Sequence, residues 1–143
     1  MMMSDDPFDL QRFVAAQDPL FDGVQDELRQ GRKRTHWMWF VFPQLAALGA
    51  SPTAKHYGIA SLDEARAYLA HPVLGPRLRA CCELLLQLEG RTAHQVFGYP
   101  DELKLRSCLT LFDRAAGGAP LFARCLDKYY AGQPDAATLQ LVH

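Results

Sequence analysis

The run Thr35-His36-Trp37-Met38-Trp39-Phe40-Val41-Phe42-Pro43-Gln44 constrains this chain more than any other stretch. It carries both tryptophans and the most continuous apolar sequence, and the basic cluster Arg32-Lys33-Arg34 stands directly before it. Around a helical wheel, Trp37 through Phe42 leave no polar face, so a helix here has to be buried on every side. A strand would also suit Trp, Phe and Val, but no second β-rich run exists to pair with it. The expectation is a short helix that begins at His36 under a Thr35 cap and is ended at Phe42 by Pro43. The remaining elements must then be arranged to cover it.

Prolines punctuate the rest. Asp6-Pro7, Asp18-Pro19 and Ser51-Pro52 each put a capping oxygen before a proline, which is tolerated at the first helical position. They predict helices over about 7–17, 19–30 (stopped by Gly31) and 52–57. Ser61-Leu62-Asp63-Glu64 reads as a capping box for a helix that stops at His71-Pro72. A turn containing Gly75 leads into a long helix over 76–89, and Thr92 caps a short one ending at Gly98. Leu105, Cys108, Leu109 and Phe112 recur at i, i+3, i+4 and i+7 in a helix over 100–116. Gly117-Gly118 breaks it before a helix over 120–131, and a last turn or short helix starts at Asp135. The helix starts are irregularly spaced, which excludes a solenoid, and no linker divides the chain. The predicted fold is all-α, a single compact multihelical domain over 1–143. About seven to nine helices surround the segment 36–42, with 1–5 as a flexible tail.

The totals agree. A chain of 143 residues, 49% hydrophobic and 22% charged, has the size and composition of one globular domain. Its net charge of −1 divides unevenly, −5 over the first 30 residues and +4 over the remainder. That excess is too small for a general nucleic-acid surface, so nucleic acid is disfavoured while a local anion site fits. The acidic start is the opposite of a signal peptide, and no apolar run reaches the ~20 residues of a membrane span. A soluble, cytoplasmic protein with no membrane partner is expected. Cys81, Cys82, Cys108 and Cys125 lie inside apolar helical patterns without a Cys-x-x-Cys pair, as reduced core residues do.

Three cations running into a helix start would favour bound negative charge, since free N–H groups and the helix dipole point at it. Trp37 or Trp39 could stack a planar ring there. The bland alternative makes Arg32, Lys33 and Arg34 a solvated turn and the tryptophans core. His36, in the first turn, would be held neutral by the dipole and able to exchange a proton. Gln44 sits beside the core and needs a hydrogen-bond partner. Asp101, Lys104, Ser107 and Thr110 recur every three residues and so spiral about their helix. Asp101 reads as a helix-start residue, and a Lys104–Ser107 nucleophile pair matches no hydrolase signature. The histidines at 36, 56, 71, 94 and 143 form no i, i+4 pair, so a metal site is not supported. No phosphate loop, dinucleotide fingerprint or Gly-x-Ser-x-Gly elbow is present, and no cofactor is expected.

The stretch from His36 to Gln44 resembles the signature of a bacterial and fungal family, domain of unknown function 1810. The likeness continues through Gly49-x-Ser51, Ala54-x-x-Tyr57-x-Ile59 and Tyr68-Leu69-x-His71-Pro72-x-Leu74-Gly75-x-Arg77-Leu78. It then takes in Phe97-Gly98-x-x-Asp101-x-x-Lys104-x-x-Ser107-x-x-Thr110-Leu111-Phe112 and Tyr129-Tyr130-x-Gly132. Thr35, Cys108 and Leu109 stand where serine, serine and methionine would be expected. The resemblance implies a compact, mainly helical domain and brings no established activity. The calpastatin label carried by some members fits poorly, because such an inhibitor is largely disordered and this chain has a full core. Polar residues interleaved with the signature suggest a shared pocket. The first functional expectation is therefore a small-molecule site for an anionic nucleotide-like or ADP-ribose-like ligand, with catalysis left open. Arg32, Lys33, Arg34 and Lys104 would hold charge, Trp37 or Trp39 would stack, and His36 or His71 would handle protons. Gln44, Arg77 and Ser107 would complete the lining. The alternative is a non-enzymatic module that binds a protein partner through a helical groove. The acidic first 30 residues could pack against the basic remainder within one chain or in a homodimer, which the pattern permits without indicating.

Overall fold

The computed structural model describes residues 6–118 and 120–142; the expected tail 1–5 and His143 lie outside the described residues. Ten α-helices follow in order: α1 (Gln11–Gln17), α2 (Phe21–Gln30), α3 (Met38–Val41), α4 (Pro52–His56), α5 (Leu62–Ala70), α6 (Leu74–Gln87), α7 (Ala93–Phe97), α8 (Asp101–Ala116), α9 (Pro120–Tyr130) and α10 (Ala136–Leu141). A 3-10 turn spans Ala46–Leu48. The class is all-α as read, with one helix more than the upper expected number. The extended pairing among the described residues is a single parallel bridge, Leu45 with Ile59. There the Ala46 amide donates to the Ile59 carbonyl and the Ile59 amide to the Gln44 carbonyl, both at 2.9 Å.

Helices α5, α6, α9 and α8 pack as a closed ring, each against two of the others. Ala65, Tyr68, Leu78, Leu85, Leu105, Phe112, Phe122 and Leu126 are buried in the core they help form. The four cysteines are free and buried among them. Burial pushes the Cys81 thiol up to about 12, and burial likewise raises Cys108 well above its ordinary value. Around this ring α2 packs on α6, α7 and α10 pack on α8, and α1 covers α3. No helix among the described residues is long and apolar enough to cross a membrane.

Several boundaries move for identifiable reasons. Ser51 caps α4 as predicted, accepting from the Ala54 amide at 3.1 Å, and Thr92 and Gln95 form a complete capping box on α7. The Asp6 carboxylate instead spans to the amides of Leu10 (2.6 Å) and Gln11 (2.9 Å), so α1 begins four residues after Pro7. Asp18 pairs with Arg77 at 2.8 Å and leaves α2 without a side-chain cap. The Ser61 hydroxyl accepts from the Glu64 amide, but the Glu64 carboxylate turns outward from the box to the Ala60 amide and Arg12. The turn predicted around Gly75 is absorbed into the first turn of α6. Gly75 is needed there because a Cβ would stand 2.2 Å from the Leu69 carbonyl oxygen of α5.

The segment that opened the sequence reading is buried at Trp37, Met38, Phe40, Val41 and Phe42. Only one turn of it, Met38–Val41, is helical. Phe97 meets Trp37 and Phe42 edge-to-face, with centroids 6.4 and 5.8 Å apart, and Tyr57 lies against Phe40 at 5.3 Å. The buried Gln17 amide donates to the Phe40 carbonyl at 2.6 Å and contacts the Tyr68 hydroxyl at 3.1 Å. Trp39 departs from the expected complete burial and is half-exposed.

Candidate functional site

The expected anion site at the basic prefix is filled by the chain itself. Glu27 of α2 accepts from the amides of Arg34 (2.6 Å) and Thr35 (3.1 Å), the Thr35 hydroxyl (2.6 Å) and the Trp37 indole N–H (3.0 Å). Burial pushes the Glu27 carboxyl up, yet these hydrogen bonds, led by the Thr35 hydroxyl, outweigh it and hold its pKa below the ordinary carboxylate value. Thr35 is therefore a ligand of Glu27 and not a helix cap. His36 stands in the loop before α3, exposed and outside any helical turn, so the dipole argument for its neutral form does not apply. Arg32 and Arg34 are exposed as well. Trp37 is buried and engaged, which removes it as a stacking surface.

Lys33 leads away from this loop to a second cluster. Its ammonium pairs with Asp101 at 2.9 Å and lies 5.2 Å from the Trp37 ring centroid. Asp101 opens α8 and is shared, at 3.6 Å, with Lys104 one turn on. The Lys104 ammonium in turn lies 5.3 Å from the centroid of the half-exposed Trp39 ring. Two ammonium groups thus face one carboxylate, which leaves one positive charge in surplus. Beside it opens a narrow cleft lined by Met38, Trp39, Phe42, Gln44, Ala54, Tyr57 and Lys104, with room for little more than one water molecule.

This cleft unites Trp39, Gln44 and Lys104 from the predicted set. Gln44 is carried there because the Leu45–Ile59 bridge holds its backbone carbonyl, and α4 delivers Tyr57. No side-chain hydrogen bond engages the Gln44 amide or the Tyr57 hydroxyl among the described residues. None of their polar atoms is both buried and unpartnered, so they reach solvent.

The other predicted residues go elsewhere. The His71 Nδ1 accepts from the Val73 and Leu74 amides at 3.1 and 3.2 Å, and so caps α6. Its ring borders a separate depression with Phe8, Leu10 and Ala67. Arg77 binds Asp18 and, at 3.4 Å, the Gln17 amide oxygen, with its guanidinium 5.0 Å from the Phe21 centroid. Ser107 is buried and bonds back to the Leu103 carbonyl at 3.2 Å, which rules out the Lys104–Ser107 pair as an activated nucleophile. The predicted polar residues therefore do not line one cavity. Two contributors were missed as site residues: Glu27, which looks like one more acid on a solvated helix face, and Tyr57, which stands in a quoted motif without a role.

A family model described as a protein of unknown function (DUF1810) matches residues 7–142. Among solved structures, the chain is similar to the conserved hypothetical protein Rv1873 from Mycobacterium tuberculosis. The two are 56% identical, the match covers 96% of this chain and 98% of that one, and the TM-score is 0.94. None of the curated proteins compared with the chain matches it.

Proposed function

The chain belongs to the DUF1810 family, and from its own geometry we propose that it is a cytoplasmic small-molecule-binding domain for anionic, nucleotide-like ligands, ADP-ribose-like ones included. The observation that carries this reading is the convergence at one cleft of unengaged polar groups, Gln44 and Tyr57, with a half-exposed indole and a surplus positive charge. An indole face suits a planar base, an ammonium suits a phosphate, and an amide beside a hydroxyl supplies both donors and acceptors for a base edge. The ligand is held at the Trp39 end of the central segment and not at the Arg32–Arg34 prefix, where Glu27 takes the donors. Binding is favoured over catalysis because His36 and His71 both lie outside the cleft lining. A partner-binding groove has less in its favour. Leu20, Tyr99, Leu103 and Leu141 are the large exposed apolar side chains, and they sit on three separate parts of the chain.

Thermal denaturation with AMP and ADP-ribose at millimolar concentration tests the reading, since a ligand that binds only the folded state must raise apparent stability. The expected result is a raised Tm in the parent protein that is lost in Gln44→Ala. An unchanged Tm with both ligands overturns it.

A further inference from the structure

We propose that Lys104 is a movable cover on Trp39 that makes the cleft selective for anionic ligands; this rests on the binding reading above. In the structure the Lys104 ammonium lies 5.3 Å from the Trp39 centroid, so it occupies the indole face on which a planar ligand would stack. Its hold on that place is weak. Its one carboxylate contact is the 3.6 Å approach to Asp101, a residue engaged more closely by Lys33 at 2.9 Å. A partly exposed ion pair and an exposed cation–π contact are each small interactions. The lysine stem can therefore swing while Asp101 stays tied to Lys33.

The cleft as it stands admits little more than a water, so a base can stack on Trp39 only after Lys104 has left its face. A neutral planar molecule must displace the ammonium and offers it no replacement partner. An anionic one displaces it from the ring and then pairs with it. The same residue thus opposes the first ligand and favours the second. Asp101 is too occupied by Lys33 to neutralise Lys104 fully, which keeps the ammonium available for an incoming phosphate.

The test compares the full-length protein with Lys104→Ala by two measurements. Acrylamide quenching of tryptophan emission reports the uncovered indole, because Trp37 is buried in both forms and Trp39→Phe supplies the background. Calorimetric titration with adenosine and with AMP reports selectivity. Lys104→Ala is expected to raise quenching, to tighten adenosine binding about two- to fivefold by removing the competing cation, and to weaken AMP binding. Unchanged quenching overturns the cover, and a parallel loss of both ligands overturns the selectivity. If quenching rises while neither form binds either ligand, the binding reading falls and takes the selectivity with it, leaving Lys104 as a cover on a bare ring.

Discussion

Glu27 shows how a single side chain can reassign a motif. Arg32-Lys33-Arg34 before an aromatic run invites an anion from outside, but a carboxylate seven to ten residues earlier takes two amides, a hydroxyl and an indole N–H. No local pattern marks Glu27 for this, because its role depends on α2 and the following loop meeting in space. Gln44, Trp39 and Lys104 were legible as candidates because polar and half-exposed groups interrupting a core-forming signature need some partner. Their companions His71, Arg77 and Ser107 carry the same signature for structural reasons: an N-terminal cap, an ion pair and a bond within a helix. Glu27 also fixes a pH response. Its folded pKa lies below the ordinary value, so its stabilisation is present above the unfolded pKa and is lost as the pH falls through the folded one. Glu27→Gln is expected to cost about 1 kcal/mol at neutral pH and to flatten the acid side of the stability profile below the usual carboxylate range. Urea denaturation as a function of pH checks this; an acid limb identical to the parent's would refute it.

At the scale of elements, capping residues and glycines announced the helices, and tertiary contacts shifted their ends. Asp6, Asp18 and Glu64 each had a local cap to make and took a partner elsewhere or a longer reach instead. The junction of α5 and α6 illustrates the limit of local reading. Gly75 followed by Pro76 reads as a turn, yet it is the closest approach between two helices of the central ring, against the Leu69 carbonyl. By helix propensity alone, Gly75→Ala would gain about 1 kcal/mol. The 2.2 Å contact reverses that sign, and a net loss of about 1–3 kcal/mol is expected from overpacking. A midpoint shifted to lower denaturant bears this out, whereas a stabilised variant would show that α6 can move away from α5 freely. The far end of α6 is held by a residue no pattern flagged: the Lys128 ammonium of α9 donates to the carbonyls of Leu85, Leu86 and Leu88.

The whole molecule reconciles the uneven charge read from its two parts. Acidic α1–α2 and their flanks meet the basic remainder inside one chain, through Asp18 with Arg77 and Glu27 with the 34–37 loop. In the opposite sense, Arg12 of α1 clamps Glu64 of α5 and the carbonyls of His56 and Gly58. The same closure seals the cysteines into the ring of α5, α6, α8 and α9, with Cys81 and Cys108 thiols raised by burial. Alkylation of the native protein at pH 8 is therefore expected to be slow and to accelerate only with global unfolding. A thiol modified rapidly under native conditions would show that the ring opens locally.

The binding site is the claim on which the functional account stands, and the two indole N–H resonances of a 15N-labelled sample address it directly. Trp37 donates to Glu27 within the fold, and Trp39 lines the cleft beside Lys104. Addition of AMP at millimolar concentration is predicted to shift the Trp39 indole resonance and the Gln44 side-chain amide, with Trp37 unmoved. Shifts confined to Trp37 and the Arg32–Arg34 amides, or none at all, would contradict the account.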